Sequence, residues 1–389
     1  MSTTMTLKPS EADKAIEALV KVNFEIAKEG GDRRGLFMWG PPGVAKSATV
    51  KAVAKRLNLL VIDIRLTQMD PTDLRGIPVP SGLGTDHVTV HWAIPAMMPQ
   101  REEGSRNARI VDPLTGHVYD GAIILLDELP NAAPSVQAGS YQLVLDGRLG
   151  EYIVPDNVVV MAAGNRDTDK GSTFKMPTPL MNRFVHIEVR SDFGDWQDYA
   201  LMSKFNKDVV GYLSAFKSHL YNFDPASASR GFATGRSWHA VSDILNFGGN
   251  MPDNVLHALI AGAIGDGIAV QFLDYRKNAA RLPSASDILD GRVTKLEVKD
   301  TSLCYSLTTS LCYELQERFN NLSKGTAKQK AELEGAINNF FKFMMSEFKP
   351  EMVIMGARTC LSKFKIRFNS KAIECWPEFN KKYNHLITG

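Results

Sequence analysis

At 389 residues the chain has room for two or three domains, each able to bury its own core. Hydrophobic residues make up 44% and charged residues 23%, ordinary globular values, and a net charge of +2 supplies no whole-protein field for nucleic acid or a membrane surface. Cys304, Cys312, Cys360 and Cys375 share no C-x-x-C spacing, which argues against a zinc site or a disulfide framework and suits reduced thiols. The opening "MSTTMTLKPSEADK" lacks the apolar segment of a secretory signal. "LIAGAIGDGIAVQFL" is interrupted by Asp266, well short of the roughly 20 apolar residues a membrane span needs. The expectation is a cytoplasmic protein with no membrane segment.

In chain order, residues 10–29 carry apolar residues at helical spacing behind a Ser10 cap. The turn "GGDRRG" leads to a short apolar run, Leu36–Trp39, that ends in the glycine-rich "GPPGVAKS", and Lys46–Leu57 reads as a helix. "LLVIDI" (59–64), "AIILLDE" (122–128), "VVVMAAGN" (158–165) and "RFVHIEV" (183–189) are further buried strands. Strands this apolar, separated by helical stretches, indicate a parallel five-stranded α/β sheet sandwiched by helices. Such sheets bind ligands at the carboxyl ends of their strands. Two intervals exceed a simple crossover: 65–121, and "DGRLGEYIVPDN" (146–157), which reads as a hairpin with Asp146–Gly147 as its turn. From about residue 236 the pattern is mainly helical, with linkers near 279–301 and at 323–328.

Read against G-x-x-x-x-G-K-[ST], the loop supplies Gly40, Lys46 and Ser47, with a further glycine at Gly43 and Ala45 where the pattern has its second glycine. The glycines let the backbone wrap a phosphate whose charge suits a helix N-terminus. Lys46 would reach the β- and γ-phosphates of ATP, and Ser47 would hold Mg²⁺. Ala45 is expected at the start of the helix, with helical φ/ψ that a methyl group tolerates. "IILLDE" delivers two carboxylates from one strand end: Asp127 for Mg²⁺ and Glu128 to polarise the attacking water. Asn165, closing "MAAGN", is placed to touch the γ-phosphate or that water.

"GPPGVAKS", "LLDELPNA", "DGRLG" followed by "VVVMAAGN", and "PLMNRF" together resemble the MoxR branch of the AAA+ ATPases over residues 30–245. The resemblance implies a P-loop AAA+ core over 1–225, with an insert within helix 2 (65–121, containing "DLRG") and a hairpin before the first sensor (146–157). It further implies a helical lid over 226–300, and leaves 301–389 as a mainly helical extension outside the match. Gly40, Pro41, Pro42, Gly43, Val44, Ala45, Lys46, Ser47 and Ala48 become the nucleotide loop, with Ser47 and Asp127 as the metal ligands. Arg183 in "MNRF" matches the arginine finger that enters the neighbouring subunit's site. Arg236 resembles the second sensor, with Arg230 as a rival, and Lys175 could be a second trans cation but reads better as solvated.

The implied activity is ATP hydrolysis in a ring, usually a homo-hexamer, driving chaperone-like remodelling of a protein client. Partners of this family often carry a von Willebrand factor A domain. The alternative is an AAA+ motor on nucleic acid, a loader or restriction-type translocase. That would want a basic lining on the inserted loops, whereas 65–121 contains no lysine. His91 and Trp92 in "VTVHWAIPAMMPQ" could grip a client, or the tryptophan could pack a small hairpin onto the ring. Residues 341–389 hold nine Lys/Arg against four Asp/Glu, read as a solvated face rather than a nucleic-acid surface. "KFKIRF" (363–368) alternates like a half-buried strand, and Phe340, Phe341, Met344 and Met345 read as core.

Overall fold

Short runs of consecutive apolar residues suit strands covered on both faces, and the first half of the chain uses them so. The computed structural model describes residues 5–84, 87–101, 109–169, 174–226, 230–297 and 300–387. Two compact units divide it, 1–192 and 193–389.

In chain order the first unit contains β1 (Thr6–Leu7), α1 (Pro9–Lys28), β2 (Gly35–Trp39), α2 (Lys46–Arg56), β3 (Leu59–Arg65) and α3 (Pro71–Arg75). The interval before the next core strand holds β4 (Ile77–Ser81), β5 (Thr89–Ala93), β6 (Gln100–Arg101), β7 (Ile110–Val111) and β8 (Val118–Tyr119). Then follow β9 (Gly121–Asp127), α4 (Pro134–Asp146), β10 (Arg148–Leu149), β11 (Tyr152–Ile153), β12 (Val158–Gly164), α5 (Thr178–Met181) and β13 (Phe184–Val189). The main sheet runs β1-β13-β2-β12-β9-β3, and every pairing in it is parallel. It therefore has six strands where the sequence shows five. The sixth, β1, is a two-residue edge strand too short to register as an apolar run.

Register fixes where the strands end. Gly164 pairs with Trp39, and Ala163 with Asp127, so β2, β12 and β9 deliver their next residues to one edge of the sheet. Helix α1 buries Ala12, Ile16, Val20 and Asn23 along one face. Asn23 is satisfied there by the backbone: its side chain donates to the Leu19 and Arg34 carbonyls and accepts from the Arg34 N–H. The helix begins with Lys8 as cap and Pro9 in the first turn, so Ser10 lies inside it rather than capping it. Proline's fixed φ suits that first position.

The 146–157 segment is a hairpin, but its turn is not where the sequence suggested. Asp146 ends α4 and Gly147 caps it at φ 62°, the left-handed conformation that glycine takes without steric cost. The Arg148↔Ile153 and Leu149↔Tyr152 pairs place the reversal at Gly150–Glu151. The β4–β5 hairpin lies against this turn. A Cβ on Gly150 would sit 3.6 Å from the Trp92 indole, and His91 pairs with Glu151 at 3.7 Å. Trp92 is thus half-buried by packing, while Ile77, Val79 and Val90 on the same hairpin are exposed.

The second unit is helical: α6 (Phe193–Met202), α7 (Lys207–Ala215), α8 (Gly235–Phe247), α9 (Asp253–Ile264), α10 (Asp266–Ala279), α11 (Ala285–Leu289), α12 (Thr301–Leu322), α13 (Ala327–Glu347), α14 (Pro350–Arg358) and α15 (Trp376–Ile387). One hydrophobic cluster runs from Trp196 and Tyr212 through Trp238 and Phe272 to Phe340, Phe341 and Met344. Helices within 193–225, 226–300 and 301–389 thus share one core, and the compact units divide after residue 192. Met345 packs against the cluster while partly buried. The "KFKIRF" segment forms no strand: Lys363 closes a π-helical turn and the residues after Phe364 are irregular. Among the described residues no helix is long and apolar enough to cross a membrane.

Candidate nucleotide site

The loop between β2 and α2 is shaped by glycines the backbone requires. Gly40 has φ 154°, and a Cβ there would lie 2.4 Å from the Val189 carbonyl oxygen; Gly43 has φ 81°. A side chain at Gly40 would collide with the Val189 backbone, and at Gly43 glycine takes the left-handed step without steric cost. Lys46 begins α2 and folds over it, its Nζ donating to the Gly40 and Pro41 carbonyls at 2.7 and 3.1 Å and to Asn165 Oδ1 at 3.2 Å. Ser47 Oγ donates to Asp127 Oδ2 at 2.8 Å across 80 positions of sequence. Pro41 and Val44 are buried, Pro42 is half-buried and Ala48 is exposed.

Ala45 differs from its expected conformation. It precedes α2 with φ 70° and ψ 21°, left-handed rather than helical, so the position is one that does favour glycine. The residue is exposed, and a left-handed L-residue carries an intrinsic cost of about 1–2 kcal/mol. Glycine's extra unfolded-state entropy offsets about half of that. Ala45→Gly should therefore raise the unfolding midpoint of the first unit by about 1–3 °C in a thermal melt; a lower midpoint would contradict this reading.

Among the described residues five non-glycine residues take positive φ, and Glu128 at 60° is another of them at this site. Asp127 ends β9, its Oδ1 accepting from the Glu128 N–H at 3.1 Å. The left-handed step turns the exposed Glu128 side chain toward β3's exit, where Thr67 Oγ1 donates to Glu128 Oε2 at 2.9 Å. Thr67 was not singled out from sequence, because a lone threonine 61 residues upstream carries no motif. Its hydroxyl holds the carboxylate in one orientation, and a water approaching that carboxylate would compete with it.

Asn165 follows β12 directly, and Arg166 beyond it makes a clasp that also lacked a sequence signal. Arg166 pairs with buried Asp169 at 2.9 Å and with Glu188 of β13 at 2.7 Å. The Asp169 hydrogen bond raises the guanidinium above the usual arginine range, with Glu188 adding to it and desolvation opposing. The loop carrying Asn165 is thereby tied to β13, across β2.

Within the first unit, Arg183 and Lys175 lie outside this cluster. Arg183 joins α5 to β13, at the opposite edge of the sheet from the loop. Phe184 pairs with Gly35 and Glu188 with Trp39, so Arg183 starts about 16 Å along the strand direction from Trp39 at about 3.3 Å per residue. Lys175 is exposed ahead of α5. Arg236 is exposed in the first turn of α8, in the second unit, and Arg230 is exposed ahead of that helix.

Residues 36–191 match the profile of the ATPase family associated with various cellular activities (AAA). The match takes in less than half of the chain. Midasin of Giardia intestinalis is 27% identical over 206 residues, half of this chain but only 4% of that protein's length. Solved structures with similar folds include NtrX from Brucella abortus in complex with ATP (12% identity, 86% of this chain and 70% of that one, TM-score 0.35). RuvB of Thermotoga maritima, a Holliday junction branch migration motor, is another (13% identity, 92% and 95%, TM-score 0.33). At those TM-scores neither carries an argument about this chain. The matched residues include the phosphate loop, both carboxylates, Asn165 and Arg183.

Proposed function

We propose that the chain binds and hydrolyses ATP with Mg²⁺ and uses the cycle to remodel a protein client as a MoxR-type AAA+ ATPase. The observation that carries this is the meeting of a lysine, a serine hydroxyl, two adjacent carboxylates and an amide at one sheet edge, around a loop that admits no Cβ at Gly40. A hydroxyl and a carboxylate 2.8 Å apart are hard oxygen donors of the kind Mg²⁺ accepts, so Ser47 and Asp127 would hold it. When bound, the ion would neutralise charge on the β- and γ-phosphate oxygens.

The protein's own groups do the rest in this reading. The loop N–H groups cradle the phosphates, and Lys46 moves from the Gly40 and Pro41 carbonyls to the γ-phosphate. Glu128, leaving Thr67, takes a proton from the attacking water. Asn165 holds the γ-phosphate or that water in line. Arg183, too far along the strand for its own site, serves the adjoining protomer of a homo-hexameric ring, and Arg236 reports nucleotide from the lid at 226–300. The client side is assigned to the exposed apolar β4–β5 hairpin of the 65–121 insert, and a protein with a von Willebrand factor A domain is the partner type expected in the cytoplasm.

Phosphate release by the purified protein tests the reading. It should require a divalent cation, and Ser47→Ala should raise the Mg²⁺ concentration for half-maximal rate about tenfold, the size of one lost ligand. Undiminished release in excess chelator would overturn it.

A further inference from the structure

The aromatic layer between β2 and β13 has no part in the chemistry above. Trp39 ends β2 immediately before Gly40, and its indole Nε1–H donates to His186 Nδ1 at 2.9 Å. An indole nitrogen only donates, so Nδ1 is the acceptor and the neutral imidazole carries its proton on Nε2. Nε2 stands 2.8 Å from the Met181 carbonyl oxygen, which only accepts. Both hydrogen bonds therefore run in one direction, from Trp39 through the ring to the backbone of α5.

Neighbouring rings fix the imidazole plane. Phe37 stacks on it at 5.6 Å, Trp39 lies beside it with its plane tilted by 23°, and Phe184 meets it edge-on at 6.4 Å. Met181 is the last residue of α5, two positions before Arg183. A four-residue helix has almost no internal hydrogen bonding to hold its direction, and its last carbonyls need outside partners. His186 is that partner for Met181, and Trp39 is joined covalently to the loop at Gly40.

We infer that His186 is a positioning residue: it ties the Arg183-bearing turn to the root of the phosphate loop, so that a protomer's own loop sets how its Arg183 is presented next door. The inference rests on the trans role proposed for Arg183. Small displacements of a positioned charge are costly, about 10²-fold for 1 Å, and this ring sits where such a displacement would arise.

The test uses complete rings and follows the release of radiolabelled phosphate, sensitive enough for residual rates. His186→Phe keeps the stacking and removes both hydrogen bonds; it should lower kcat about 10- to 100-fold with KM for MgATP changed less than about twofold. Trp39→Phe, which removes only the donor, should act in the same direction, and it carries the test alone if His186→Phe does not fold. His186→Gln, whose amide can still donate to Met181, should recover part of the rate. In an Arg183→Ala background neither aromatic substitution should slow the residual rate further, because residues acting through one group are not additive. If Arg183→Ala alone leaves turnover intact, the finger reading fails, and this inference with it. If Arg183→Ala slows turnover yet His186→Phe multiplies the loss by its full factor, the finger survives and the relay is overturned. A changed KM with unchanged kcat would also overturn it, placing His186 in service of nucleotide binding instead.

Discussion

Glu128→Gln should bind MgATP with an affinity within about twofold of the unaltered chain while its turnover falls about 10³-fold, the range that general bases contribute. The separation follows from where the residue stands. Glu128 is exposed beyond the end of β9 and is held by Thr67, whereas the groups that would grip the nucleotide are Lys46, Ser47, Asp127 and the loop backbone. Glutamine keeps the shape and can still accept from the Thr67 hydroxyl, but it cannot take a proton from water. Equilibrium binding of a fluorescent ATP analogue beside steady-state phosphate release makes both measurements. Loss of binding would mean that the carboxylate organises the loop, and retained turnover would mean that another base acts.

Arg183→Ala should reduce turnover by at least about 10³-fold, the lower end of what arginine fingers supply, without weakening ATP binding. Lys46→Ala should lose binding and turnover together. Neither homogeneous ring should turn over appreciably, yet a 1:1 mixture should recover about a quarter of the full rate. In a ring with head-to-tail interfaces, about one protomer in four is then an Arg183→Ala subunit with a finger-bearing Lys46→Ala neighbour. The recovery discriminates because no folding or binding repair within a protomer could produce it. Its absence, with mixing verified by subunit exchange, would confine Arg183 to its own chain. That outcome is hard to reconcile with a residue about 16 Å from the loop by strand rise.

Much of the first unit was legible because its determinants are local. A buried parallel strand announces itself as an unbroken apolar run, so β2, β3, β9, β12 and β13 were all readable, and with them the sheet edge at which ligands bind. The two-residue β1 had no run to announce. Chain order also implied that Ser47 and Asp127 would share that edge, since β2 and β9 end there on either side of β12; the roles given to them are proposals.

What composition could not convey was backbone conformation. Ala45 read as helical because alanine favours helices, whereas the loop needs a left-handed step there. The Asp146–Gly147 pair read as a hairpin turn because those residues suit one, but here the same glycine ends α4. Contacts between unrelated positions were equally hidden: Thr67 with Glu128, Arg166 with Glu188, and Trp39 with His186 link strands through side chains that form no motif. The sharing of one helical core was hidden for a related reason. The helices at 193–215 follow the last strand in sequence but bury Trp196 and Tyr212 in the helical cluster.

The central claim is a nucleotide site completed by a second protomer, and a structure of the Glu128→Gln chain with MgATP tests it most directly. The account requires the triphosphate to lie in the loop of residues 40–47, with Lys46 on the γ-phosphate, the metal between Ser47 and Asp127, and an adjoining chain's Arg183 guanidinium at the same phosphate. Nucleotide bound away from that loop, or a filled loop in an isolated protomer whose fully active parent is also a monomer, would contradict it.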